Sequence, residues 1–321
     1  MYVLNGYDHV PQQARGAALA IGNFDGVHRG HQALLAEVRV IARELPGPAG
    51  VMMFEPHPRA FFQPDRPHFE LTPLRLKLGL LERYGMDLAV VLTFDAAFAG
   101  LSAEDFVERV LVAGLGVRHV VIGYDFHYGK GRAGSPATMQ DAGRRFGFGV
   151  TVVAQVAEAG EVFSSSQVRA ELAQGDVRGA ADMLGHWWRV AGEVVGGARR
   201  GTGLGFPTVN IVLPRGVTLG HGIYAARVYV HGKRHHGAAY LGTRPTFDSG
   251  PPVLEVFLFD FDGDLYGREI EVEFIAFLRG DRAFTNPDDL KVQMAADCDA
   301  ARAILAAADR DDPMARFAPA R

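Results

Sequence analysis

The hydrophobic pattern of this chain changes character once, just after Met183, and that change limits what it can fold into. Before it, short apolar, β-rich runs alternate with stretches of helical periodicity. Ala17 to Phe24, Gly50 to Phe54, Asp87 to Thr93, Arg118 to Gly123 and Gly149 to Ala154 read as strands, with helices in most of the gaps. Strand and helix in alternation build a parallel sheet with helices packed on it, so a Rossmann-like α/β domain is expected. After the change, Trp187 to Val195, Ile223 to Val230, Val253 to Phe259 and Glu269 to Phe277 are β-branched or aromatic runs separated by turn residues. That pattern predicts a small antiparallel β-barrel.

A length of 321 residues is more than one domain usually needs, which agrees with two units. The boundary is placed near Leu184, giving units of 1–184 and 185–310 and a loose tail over 311–321. Two helix starts are legible. Ser102 with Asp105 three positions on can satisfy free first-turn donors. Asn286 as cap, Pro287 in the first turn and Asp288 and Asp289 behind it predict a C-terminal helix to about Ala308.

A net charge of -4 and a pI near 6.3 give no global attraction to nucleic acid or to an anionic membrane. Arg199, Arg200 and Arg215, around a glycine-rich stretch, read as solvated loop charges. The single cysteine, Cys298, excludes a disulfide framework and a multi-cysteine metal site within one chain, and suits a reducing cytoplasm. Met1 to Val10 lack the apolar core of a secretion signal, and no apolar run reaches membrane-spanning length. The expected partners are therefore small molecules, with neither nucleic acid nor membrane among them.

The densest local signal is Gly22-Asn23-Phe24-Asp25-Gly26-Val27-His28-Arg29-Gly30-His31, which leaves the first predicted strand and enters a helix. A strand-to-helix turn aims helix N-terminal donors at an anion, and glycines let the backbone approach it. His28 and His31, three apart, would share one helix face and reach one phosphate. In isolation, two such histidines are more often surface residues or half of a metal site. Asn23 and Asp25 fit either a nucleotide contact or a turn cap. Asp125, after a strand end, fits either substrate or hydrated-magnesium orientation, or a turn. Phe54, His57 and Phe62 fit either the two faces of a flat aromatic ligand or ordinary packing.

His-x-Gly-His at a first strand-to-helix turn resembles the signature of the nucleotidyltransferase superfamily. Phe54-Glu55-Pro56-His57-Pro58-Arg59, Gly123-Tyr124-Asp125-Phe126-His127-Tyr128-Gly129 and Ser164-Ser165-Ser166-Gln167-Val168-Arg169 follow in the order of the prokaryotic FAD synthetases. Phe163, Ser166 and Val168 depart from the usual Ile-Ser-Ser-Thr-x-Ile-Arg, while Arg169 is kept. The resemblance implies transfer of AMP from ATP onto FMN, releasing pyrophosphate. It places Gly22, Asn23, Phe24, Asp25, Gly30 and Ser165 at the nucleotide, Phe54, His57, Phe62 and Asp125 at the flavin, and His28, His31 and Arg169 in catalysis.

In the second half, Gly205-Phe206-Pro207-Thr208-Val209-Asn210 resembles the Gly-Phe-Pro-Thr-Ala-Asn signature of riboflavin kinases, with Val209 for the usual alanine. Gly242-Thr243-Arg244-Pro245-Thr246-Phe247, Leu254-Glu255-Val256-Phe257, Asp264-Leu265-Tyr266-Gly267 and Phe277-Leu278-Arg279 continue the resemblance in order. Tyr240-Leu241 stands where Asn-Ile is common, and Thr202 where a basic residue is usual. The resemblance implies an ATP-dependent phosphorylation of riboflavin to FMN. Gly205 and Thr208 would then lie at the nucleotide, Arg279 at the flavin, and Glu255 would be the general base. Thr208 and Asn210 carry hard oxygen donors suited to Mg2+, and in an extended segment they project to one side. Two rivals are a nucleotidyltransferase of another acceptor class carrying an unrelated β domain, and a flavin-binding regulator without turnover.

Overall fold

The computed structural model describes residues 1–66, 68–158, 161–196, 206–214, 216–242 and 253–317. These fall into two compact units, one built on residues 1–68 and 73–164, the other on residues 69–72 and 165–317. Among the described residues no helix is long and apolar enough to cross a membrane.

The first unit holds a six-stranded parallel sheet: β1 (Tyr2–Asn5), β2 (Ala18–Ile21), β3 (Ala49–Glu55), β4 (Leu88–Thr93), β5 (His119–Gly123) and β6 (Gly149–Val153), in the order β1-β4-β3-β2-β5-β6. Five of the six are the expected strands. β1 was not anticipated, because an edge strand buries only Leu4 and shows no long apolar run. In β2 every residue is buried, as a central parallel strand requires. Alternation along the strands separates two cores. Leu19, Ile21, Met52, Val90 and Ile122 face one, while Ala18, Ala20, Val51, Met53 and Val121 face the other.

The second core is covered by α1 (Arg29–Ala42) and α3 (Leu74–Arg83), α2 (Pro58–Phe62) being a short turn between them. The first is covered by α4 (Ala96–Ala99), α5 (Ala103–Asp105) with its wide continuation Phe106–Leu115, and α6 (Pro136–Phe146). Ser102 caps α5 as expected, its hydroxyl accepting from Asp105 N–H at 2.9 Å. A small hairpin, β7 (Ala157–Glu158) and β8 (Glu161–Val162), follows.

The second unit begins with α7 (Ser165–Gln174) and α8 (Val177–Leu184) and continues into a closed antiparallel barrel. Its strands are β9 (Arg189–Val195), β10 (Val209–Val212), β11 (Gly222–Val230), β12 (Lys233–Gly242), β13 (Val253–Leu258) and β14 (Glu269–Arg279). β12 escaped the sequence reading because it opens on Lys-Arg-His-His. The signal that predicts it is the turn before it: His231 and Gly232 take φ of +48° and +76°, the two left-handed positions of a tight hairpin. Tyr224, Ala226, Val228, Ala239, Leu241, Leu254, Val256, Ile211 and Phe274 fill the interior. On the outside, α9 (Pro287–Arg310) lays Ala301, Leu305 and Ala308 against Trp187, Ala225 and Ile275.

The chain after Arg310, read as loose, is fastened as far as Met314. The Asp312 carboxylate accepts from Trp187 Nε1 and from Arg227 Nη1, both at 3.0 Å, and Met314 is buried. Gly205, Thr202, Arg199, Arg200, Arg215 and residues 243–247 lie outside the described residues.

Candidate active site

In the parallel sheet, β2 pairs with β3 on one side and β5 on the other. The chain therefore leaves the carboxyl ends of β2 and β5 in opposite directions, and the crevice between them is where open α/β sheets bind ligands. Gly22 follows β2 directly, and Asp125 lies just past β5.

The turn after β2 is tightly fixed. Phe24 and Val27 take φ of +50° and +44° although neither is glycine, and both side chains are fully buried. Core burial holds a conformation that the local chain disfavours. The Phe24 ring is core and backs His31 at 5.3 Å between centroids. Asp25 is buried, and Asn23 Oδ1 is buried without a partner among the described residues.

The two histidines come together, by another route than a shared helix face. His28 has extended backbone and is the N-cap of α1, its Nδ1 accepting from His31 N–H at 3.3 Å. That bond folds the two rings into a stack with 3.7 Å between centroids and 22° between planes. It needs an unprotonated Nδ1, so neutral His28 carries its proton on Nε2. Gly30 permits the arrangement, since a Cβ there would stand 3.0 Å from the His28 ring and 3.2 Å from the Phe163 carbonyl. Burial first, then the repulsion that His28 would exert if protonated and the charge of Lys77, hold the His31 imidazole well below its ordinary value, so it is neutral near pH 7. Its Nδ1 is buried without a partner among the described residues.

At the carboxyl ends of β3 and β4 stands a set of aromatic rings. Phe54 and Phe62 both pack on Phe94, at 5.8 and 5.7 Å, and Phe61 and Phe98 complete the group. Phe62 is 65% exposed, so this group presents an open aromatic edge. Sequence reading missed Phe94, although its place directly after an apolar strand was a usable signal. His57 caps α2, its Nδ1 accepting from Arg59 N–H at 3.1 Å, and stacks obliquely on His68 at 4.4 Å. Asp125 is exposed within a tight turn closed by Phe126 N–H to Gly123 O at 3.1 Å.

Arg169 and Ser165 belong to the second compact unit. Both lie on α7, where the Arg169 guanidinium donates to Ser165 O at 3.1 Å and to Phe69 O at 2.7 Å.

On the barrel, strand register assembles what the sequence kept apart. Asn210 on β10 stands opposite Glu255 on β13, Glu255 opposite Tyr240 on β12, Tyr240 opposite Ile223 on β11, and Ile223 opposite Arg279 on β14. Directly opposed residues share a face. Their neighbours Ile211, Leu254, Leu241 and Tyr224 point inward, so this row lies on the outer wall. Asn210 is only 5% exposed, and Thr208 sits two residues before it. Arg279 donates in a fork to Asp297 of α9, Nε at 3.0 Å and Nη2 at 2.7 Å, and Nη1 reaches Gly280 O. Asp281 lies near enough to the Tyr240 hydroxyl to act on its charge. Burial, then the charges of Asp281 and Glu255, push its pKa up to about 12. Tyr240 and Asp281 were not anticipated as part of this row.

Residues 10–167 match the family described as FAD synthetase, and residues 184–305 the family described as riboflavin kinase. Curated relatives named bifunctional riboflavin kinase/FMN adenylyltransferase match end to end. That of Pseudomonas fluorescens is 42% identical over 95% of this chain and 98% of its own, and that of Haemophilus influenzae 40% identical over 95% and 99%. The chain belongs to the bifunctional riboflavin kinase/FMN adenylyltransferase family. The relative from Bacillus subtilis is 34% identical over 92% of the chain. A solved structure described as a macrolide-efflux protein from Streptococcus pneumoniae superposes with a TM-score of 0.80 at 26% identity, covering 92% of this chain and 97% of that one. The FAD synthetase match includes the His28 and His31 stack and the aromatic group, while the riboflavin kinase match spans all six barrel strands.

Proposed function

We propose that this chain carries out two ATP-dependent reactions in the cytoplasm: phosphorylation of riboflavin to FMN, and adenylylation of FMN to FAD with release of pyrophosphate. Residues 185–310 are assigned the first reaction and residues 1–184 the second. The observation that carries this reading is the direct opposition of Asn210 and Glu255, which puts an oxygen donor and a base side by side within the riboflavin kinase match.

In the kinase reaction Glu255 accepts the proton of the ribityl 5'-hydroxyl as that oxygen bonds to the γ-phosphorus and the bond to the β-bridging oxygen breaks, releasing ADP. Thr208 and Asn210 offer a hydroxyl and an amide oxygen, the donor types that magnesium takes, and Gly205 and Thr208 are assigned to the nucleotide. Magnesium bound with the nucleotide neutralises phosphate charge. The Arg279–Asp297 fork orients the flavin end of the row.

In the second reaction an FMN phosphate oxygen attacks the α-phosphorus of ATP and pyrophosphate leaves, with no covalent enzyme intermediate. Positioning and charge stabilisation carry it. Neutral His31 and the Nε2–H of His28 donate to phosphate oxygens, while Asn23, Asp25, Gly22, Gly30 and the backbone of Phe24 shape the nucleotide site. Arg169, held by two carbonyls, neutralises the β/γ end with Ser165 beside it. Phe54, Phe62 and His57 hold the isoalloxazine, with Asp125 at the crevice.

The test is chromatographic separation of products from riboflavin, ATP and Mg2+, and in parallel from FMN, ATP and Mg2+. FMN then FAD from the first mixture, and FAD from the second, are expected. Flavin binding without product overturns the reading in favour of a regulator.

A further inference from the structure

Along α3, Leu74, Leu78 and Leu81 recur at the spacing of one helix face and pack into the core shared with Phe24, Val27 and Leu35. Lys77 falls in the same stripe. It is 2% exposed, and no hydrogen bond or ion pair with any described residue engages its ammonium. Lysine is almost never fully buried without a counter-charge, because removing the ammonium from water is expensive. A position that needed only to fill the core would suit leucine or methionine, as its neighbours show.

The place it occupies is informative. Phe24, which belongs to the core that the α3 leucines share, backs the His31 ring at 5.3 Å between centroids, and His31 Nδ1 and Asn23 Oδ1, on the turn that leads into the same helix, are buried without a partner among the described residues. A neutral imidazole and, in the neighbouring core, a lysine without a counter-charge among the described residues are complementary to a polyphosphate, which brings the missing negative charge and the acceptor oxygens together.

Building on the adenylyltransferase reading above, we propose that Lys77 is a phosphate-binding residue of that site, providing a fixed positive charge for the β/γ-phosphates of ATP and for departing pyrophosphate. The cation is kept inside the core because it is paired only when nucleotide is bound.

The experiment uses the full chain with Lys77→Met, which keeps the apolar stem, and Lys77→Arg, which keeps the charge. Binding of inorganic pyrophosphate with Mg2+ is measured by the rise it causes in thermal stability and by calorimetry, alongside FAD formation from FMN. For Lys77→Met the melting temperature without ligand is expected to match or exceed that of the parent. Its pyrophosphate affinity should fall about tenfold or more, the size of one charge-assisted contact. kcat/KM for ATP falls with it, KM for FMN stays, and Lys77→Arg recovers part of the loss. A Lys77→Met protein that melts lower yet binds pyrophosphate and makes FAD as the parent does overturns the proposal, since Lys77 is then structural. A changed KM for FMN with unchanged pyrophosphate binding also overturns it, placing the charge at the flavin phosphate. If the parent makes no FAD from FMN and ATP, the adenylyltransferase reading itself has failed, a result separable from either outcome.

Discussion

Asn210 and Glu255 are direct partners across the antiparallel pair of β10 and β13, on the outer wall of the barrel. The pairing ties a buried amide to a carboxylate in one fixed register. Glu255→Gln keeps the shape and removes the base, so phosphorylation of riboflavin should fall about 10²–10⁴-fold. Asn210→Ala should abolish it as well. Both variants should make FAD from supplied FMN at the parent's rate, as read by product chromatography.

The opposite pattern is expected at the His28 and His31 stack. His28→Ala with His31→Ala should remove FAD formation and spare FMN formation. Gly30→Ala separates geometry from chemistry, because its methyl would stand 3.0 Å from the His28 ring. It should displace that ring and lower FAD formation with both histidines still present, and riboflavin phosphorylation in the same sample serves as the control.

Phe62 contributes little to folding, being 65% exposed. Phe62→Ala should therefore leave the melting temperature unchanged. It should raise KM for FMN about three- to tenfold, the value of one aromatic contact. Initial rates of FAD formation against FMN concentration check this.

Arg227 is buried among Glu273, Asp309 and Asp312, with its Nη atoms 3.0–3.4 Å from their carboxylates. Arg227→Ala leaves buried Glu273 with Arg189 alone as its cation and takes the Arg227 donor from Asp312, the anchor of residues 312–314. A loss of about 3 kcal/mol is expected, the low end for a broken buried pair because Asp309 and Asp312 are partly exposed. The fluorescence of Trp187 and Trp188, the only two tryptophans and both in the barrel unit, reports that unfolding transition.

The first unit should lose stability in mild acid. Burial, then His28 and Lys77, depress the His31 pKa, and burial depresses that of His119. The unfolded chain therefore binds more protons than the folded one once pH falls below the ordinary value of 6.5. The stability from these two groups is complete above that pH and is lost as pH drops beneath it. Hydrogen exchange of the β2 and β5 amides, corrected for intrinsic rates between pH 7.5 and 5.5, should show falling protection in the parent. A variant with His31→Gln and His119→Gln should show a flatter profile.

Elements with a strong period of their own were legible from the chain alone: five parallel strands, four of the six barrel strands, the Ser102 cap and the Asn286 cap. So were the motifs, because a strand-to-helix turn rich in glycine and histidine announces an anion site locally. β1, β10 and β12 were not legible, since an edge strand, a strand of only four residues and a strand opening on four basic or imidazole side chains show no apolar alternation. Tyr240 stood out only as a departure from the family pattern, and Lys77 not at all, because a lysine in a helix is unremarkable until its exposure is known.

The linear order of residues determined two folding patterns, two motif trains and the kinds of side chain available for phosphate and flavin. Only the tertiary structure decided how they meet. His28 reaches His31 because a cap, and not a helix face, folds it back, and Phe24 proved to be core. Asn210 meets Glu255 through a register set by barrel closure. Register, cap geometry and burial depend on atoms distant in sequence, and no local pattern of residues encodes the distance between them.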